Sequence, residues 1–128
     1  MKNKRVLVVD DEHAIADFVH TVITLEGGVT VLAATAEQAL ACLSDDGPFD
    51  LMVLDLALPD RSGWELLASA RDLLADCKIV IFSAQVPDDA VERARTAGVA
   101  VALSLVKPVA ATALRDALLS VLEPAPGP

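Results

Sequence analysis

Apolar residues along this chain gather into five short runs, and between successive runs they thin out to the spacing of a helix face. Arg5 to Val9 is apolar after its arginine; Ile15, Phe18, Val19 and Val22 then recur at helical intervals until Gly27-Gly28 stops them. Val29 to Ala33 is the second run. Thr35 followed by Gln38 predicts a capping box, and Ala36, Ala39, Leu40 and Leu43 predict the inner face of the helix it opens. Asp45-Asp46-Gly47-Pro48 reads as a turn. Leu51 to Leu54 is uninterrupted, which suits a strand covered on both faces. Ser62 with Glu65 repeats the capping pattern ahead of Trp64, Leu67, Ala70 and Leu74. Ile79 to Phe82 is the fourth run. Pro87 suits the first turn of a fourth helix that Gly98 closes, with Val91, Ala94 and Ala97 inside and Arg93 and Arg95 outside. So few apolar anchors predict the least firmly packed element of the chain. Val101 to Val106 is the fifth run, and Ala110 to Leu122 predicts a last helix burying Leu114, Ala117, Leu118 and Val121. Pro124, Pro126 and Pro128 then disfavour further regular structure.

Five strand–helix units with short connections predict an α/β fold, a doubly wound five-stranded parallel sheet with helices on both faces. The expected strand order is 2-1-3-4-5, that of flavodoxin-like (βα)5 proteins. Residues 1–122 form one domain in this reading. Residues 123–128 form a proline-rich tail that either ends a free-standing unit or opens a linker.

In such a sheet all strands deliver their carboxyl ends to one edge, where open α/β sheets bind ligands. The first run ends in Asp10 and Asp11, the third in Asp55, the fourth in Ser83 and the fifth in Lys107. Each has an ordinary reading as a polar strand end, but loop preference alone favours Asn, Gly and Ser over this set. With the first and third strands adjacent, about 4.8 Å apart, the three aspartates crowd together. A lysine is long enough to reach them from the fifth strand. At an effective dielectric near 20, each carboxylate pair at 4 Å costs roughly 4 kcal/mol. A divalent cation resolves that repulsion, and an all-oxygen site suits Mg²⁺, with Mn²⁺ as a substitute, better than zinc. A cation beside an exposed carboxylate, with a hydroxyl and an ammonium nearby, matches the needs of phosphoryl transfer.

Composition narrows the classes. Ten basic against nineteen acidic residues leave a formal charge of −9, which argues against direct nucleic-acid binding through a basic surface. The longest apolar stretch, Val99 to Val106, contains Ser104 and falls far short of the roughly 18 residues of a membrane span, so no membrane partner is expected. The basic start is followed only by Val6 to Val9, which is not a signal peptide. Cys42 and Cys77 read as buried free thiols of a reducing cytosol, and the expected localisation is cytoplasmic. His13 and His20 read as solvated helix residues.

Val8-Val9-Asp10-Asp11-Glu12, then Asp55-Leu-Ala-Leu-Pro59-Asp-Arg-Ser-Gly63, Ser83-Ala84 and Lys107-Pro108, in this order and spacing, resemble the receiver domains of bacterial two-component response regulators. The resemblance covers about residues 4–122. It implies that Asp55 accepts a phosphoryl group from a histidine kinase or histidine phosphotransfer protein. It also implies that Asp11, Asp55 and the backbone carbonyl of Ala57 ligate Mg²⁺, with Asp10 acting mainly through water. Ser83 is then the switch hydroxyl, Lys107 the ion-pair partner, and the Lys-Pro bond is cis.

Two departures touch the output. Ser104 stands where the family usually carries Tyr or Phe, and the stretch from Gly98 to Lys107 is longer than usual. The expected output is therefore atypical, through the loop after Ser83 and the fourth helix (residues 84–106), to a downstream protein partner. A homodimer through the 87–122 face is a further expectation. The alternative is a receiver-like interaction module that works without phosphorylation. A small enzyme is the weaker reading: no glycine-rich loop follows the first strand, and Ala57 stands where a second acid would serve turnover.

Overall fold

The computed structural model describes residues 1–123; of the proline-rich tail expected at 123–128, all but Glu123 lies outside the described residues. Strands β1 (Arg5–Val9), β2 (Val29–Ala33), β3 (Leu51–Leu54), β4 (Lys78–Ser83) and β5 (Leu103–Val106) alternate with five helices. These are α1 (His13–Leu25), α2 (Ala36–Asp45), α3 (Gly63–Ala70), α4 (Ala90–Thr96) and α5 (Ala111–Leu122). All strand pairs are parallel, in the expected order β2-β1-β3-β4-β5.

The three central strands β1, β3 and β4 carry no polar alternation and are buried on both faces, while the edge strands β2 and β5 stay partly exposed. Leu7, Val9, Met52, Leu54, Ile79 and Ile81 point to the face covered by α2, α3 and α4. Val6, Val8, Leu51, Val53, Val80 and Phe82 point to the other, where Val19 and Ile23 of α1 meet Leu114 and Leu118 of α5. Register then sets the site. Val9 pairs with Leu54, so Asp10 and Asp55 leave neighbouring strands at the same level. Ser83 pairs with Val106, so Lys107 leaves β5 beside it.

Both capping serine or threonine residues hold as read: Thr35 Oγ1 accepts the N–H of Gln38 and Ser62 Oγ that of Glu65. The reciprocal bond shifts by one residue, since Gln38 Oε1 accepts from the N–H of Ala34. Several boundaries and burials differ from expectation. Helix α4 is short and rests on Ala90 and Ala94 alone. Val91 lies about 100° around the helix from Ala90, and it is 42% exposed rather than inside. Ala97 is only half-buried, as are Ala117 and Val121 of α5. Strand β5 begins at Leu103, with Val101 buried ahead of it. Helix α3 ends at Ala70, and a 3-10 turn at Arg71–Leu73 carries the chain to buried Leu74. The two cysteines are free but half-buried, not buried. Burial, with Asp50 nearby, still pushes the Cys77 thiol up to about 12, which makes it unreactive.

Candidate functional site

Asp10 and Asp55 are buried at the carboxyl edge of the sheet, and Asp11 beside them is exposed. One oxygen from each of the three lies within 4.8 Å of the others. Lys107 reaches across β4 from the edge strand and donates to both buried acids, to Asp10 Oδ2 at 2.8 Å and Asp55 Oδ2 at 3.1 Å. Its Nζ also lies 3.7 Å from Glu12 Oε1 and 5.7 Å from the centre of the Phe82 ring. Asp10 Oδ1 accepts the N–H of Glu12 at 2.9 Å. Asp55 Oδ1 accepts two bonds, from Ser83 Oγ at 2.7 Å and from the N–H of Ala57 at 3.0 Å. The sequence thus converges on one spot from four strands.

Burial holds the Asp10 carboxyl above the usual range, and the neighbouring Asp55 adds to that; Lys107 and the Glu12 N–H oppose it without cancelling it. Burial alone would lower the Lys107 ammonium, but the hydrogen bonds and charges of Asp10 and Asp55 outweigh it and hold it above the ordinary lysine value. One ammonium against three carboxylates leaves the cluster short of positive charge.

The donor set suits a hard divalent cation: it is all oxygen, and the Asp11 carboxylate accepts no hydrogen bond from any other described residue. Oxygens bound to one Mg²⁺ lie at most about 4.2 Å apart, so the observed spacing needs only side-chain adjustment. Asp10, Asp11 and Asp55 are the side chains that could hold it, and the free carbonyl of Ala57 lies on the adjoining loop.

Asp55 corrects one expectation. Its carboxylate is 4% exposed rather than open to solvent. It is approached through an open depression of about 940 Å³ that runs past Trp64, Ala84 to Pro87 and Val106. Gly63 makes this crowding possible, because a Cβ there would sit 2.9 Å from Leu56 Cα and 3.1 Å from the Asp55 carbonyl oxygen. A smaller cleft of about 520 Å³ opens at the opposite edge of the sheet, beneath the Gly98–Ala102 stretch and away from the acids.

Other residues fall as follows. Ser104 is half-buried on β5 opposite Ile81, so it faces the α4 side of the sheet. His13 is exposed, and His20 is exposed with Nδ1 against Thr30 Oγ1. Sequence reading missed two features. Trp64, at the start of the third helix, is half-buried at the rim of the depression with the Arg93 guanidinium 4.6 Å above its ring. Asp60, in the β3–α3 loop, accepts backbone N–H groups from the start of α2. No local pattern announces either contact, since both join residues more than twenty positions apart.

The chain matches the response regulator receiver domain family over residues 6–119. It is 29% identical over 118 residues to the sporulation initiation phosphotransferase F of Bacillus subtilis (strain 168), covering 92% of this chain and 93% of that protein. It is 32% identical over 113 residues to a response regulator receiver protein of Anaeromyxobacter sp. (strain Fw109-5), covering 88% of this chain but 46% of that relative. Among solved structures, a CheY-like receiver domain protein from Methanospirillum hungatei JF-1 superposes with a TM-score of 0.85 at 30% identity, covering 95% of each chain. A five-stranded sheet of this order, its acids and lysine gathered at one edge and its length matched almost throughout, places the chain in the response regulator receiver domain family.

Proposed function

We propose that the chain is a phosphoryl-accepting switch of a two-component phosphorelay, with Asp55 as the acceptor. The observation that carries this reading is the Lys107 ammonium shared between Asp10 and Asp55 while Ser83 Oγ donates to the same Asp55 carboxylate. An Asp55 carboxylate oxygen attacks the phosphorus of a phosphohistidine in a histidine kinase or histidine phosphotransfer protein. The P–N bond breaks, the imidazole leaves, and an acyl phosphate forms on Asp55. Lys107 offsets the growing charge. Ser83 turns its hydroxyl from the carboxylate to a phosphoryl oxygen. Mg²⁺ or Mn²⁺ held by Asp10, Asp11, Asp55 and the Ala57 carbonyl would supply charge neutralisation for the incoming group.

The output in this reading runs through residues 84–106 to a downstream protein partner, because the loop after Ser83 borders the site and α4 is anchored by two alanines only. The chain acts on no outside substrate beyond its own phosphorylation and dephosphorylation, in keeping with Ala57 in place of a second acid. A cytoplasmic setting and a homodimer through the 87–122 face belong to the same proposal. Size-exclusion before and after phosphorylation tests the dimer, which an unchanged elution volume would rule out.

Incubation with a small phosphodonor and Mg²⁺, read by intact mass, tests the central step. The expected result is a gain of one phosphoryl group, absent in Asp55→Asn; no gain, or an equal gain in the variant, overturns it. Ser104 and the short α4 favour a second reading, a module that binds its partner without phosphorylation. Partner binding unchanged in Asp55→Asn would support that reading.

A further inference from the structure

Loop β3–α3 carries the Ala57 carbonyl, and its far side is fastened to another element. Asp60 Oδ1 accepts the N–H of Ala36 at 2.9 Å, and Oδ2 accepts that of Glu37 at 3.0 Å. These are the first two N–H groups of α2, donors that a helix leaves without internal partners. Thr35 Oγ1 takes the third, at Gln38, so the helix already has a local cap. Arg61 adds an ion pair to Glu37 at 3.3 Å. On its near side the loop is closed by the Gly63 N–H on the Leu56 carbonyl at 2.8 Å and by the Ala57 N–H on Asp55. Among the described residues the Ala57 carbonyl itself accepts no hydrogen bond. The backbone N–H groups at α2 also keep the Asp60 carboxyl below the usual carboxylate range, so the fastening persists into acid.

We propose that Asp60 is a positioning residue of the cation site: by gripping the start of α2 it fixes the β3–α3 loop so that Ala57 presents its free carbonyl to the carboxylate cluster. This rests on the cation site proposed above. From 24 residues away the carboxylate serves two N–H groups of α2 that the threonine cap leaves over, so it secures the helix start. The same two bonds give the loop a second fixed end.

Calorimetric titration of the full chain with Mn²⁺ alone, in four forms, tests the idea. Asp60→Ala should weaken Mn²⁺ binding by about tenfold, the lower end for groups that orient a ligand from behind. Asp60→Asn, whose single carbonyl oxygen keeps one of the two bonds, should fall between it and wild type. Thr35→Ala removes a cap from the same helix end without touching the loop. It should lower the melting temperature as Asp60→Ala does, yet leave Mn²⁺ affinity unchanged. Unchanged affinity in Asp60→Ala overturns the proposal. So does an equal loss in Thr35→Ala, which would trace the effect to helix stability. If wild type binds no Mn²⁺, the cation site itself fails and this inference fails with it; if only the Asp60 variants match wild type, the cation site stands.

Discussion

Asp10 is penalised by its own surroundings, and that makes its charge a measurable liability. An acid whose folded value is raised binds its proton more readily in the folded state. Stability is therefore present below the ordinary carboxylate value of 3.8 and is lost as pH rises through the folded value. Asp10→Asn should remove that slope and, without divalent cations, raise stability by about 1 kcal/mol, the usual scale for one relieved interaction. Urea midpoints between pH 3 and 7 for both proteins would check it, and parallel curves would refute it. Lys107 has the other window: its stabilisation is complete below 10.5 and is lost as pH climbs past its raised folded value. Lys107→Ala leaves two buried carboxylates without their ammonium, at a cost of about 3–5 kcal/mol in cation-free buffer. The identities of these residues were legible from the chain because strand ends rarely carry two acids, a third acid and a lysine. Their hydrogen-bond partners were not, since a bond such as Ser83 to Asp55 depends on register rather than on spacing.

Among the elements, α4 and α3 differ in how far periodicity describes them. Helix α4 was expected to be the least firmly packed element, and its anchors are fewer than the apolar face read for it: only Ala90 and Ala94 bury, and Val91 turns outward. If the proposed output holds, amide exchange across residues 84–106 should slow or quicken when beryllofluoride and Mg²⁺ are added; identical exchange would overturn it for this segment. Helix α3 is fixed at its start by steric necessity. Gly63→Ala forces a methyl against the backbone of Leu56 and Asp55, which should cost about 1–3 kcal/mol and, on the proposed reading, weaken phosphorylation as Asp55 shifts. Thermal unfolding and intact mass report the two effects separately. Its apolar face was read through Leu67, Ala70 and Leu74, while buried Leu66 went unnoticed because a helix wedged between sheet and loop buries a wider stripe.

Over the whole molecule, a parallel sheet with two apolar faces supplies the stability that lets one rim keep a cluster that opposes folding. Cation binding should therefore register as global stabilisation. At a hundredfold excess over its dissociation constant Mg²⁺ should add about 2.7 kcal/mol, and Asp11→Asn should abolish most of that. A melting temperature indifferent to Mg²⁺ would refute the site. The overall architecture was readable because five apolar runs joined by helical stretches and short connections permit few arrangements. The contacts between elements far apart in the chain were not, as Asp60 on α2 and Arg93 on Trp64 show. At rest Asp55 has donors from Ser83, Ala57 and Lys107 on three of its roughly four lone-pair sites, two on Oδ1 and one on Oδ2. On the proposed reading, the place left on Oδ2 sets the line of approach for any phosphodonor, whether free or carried by a protein.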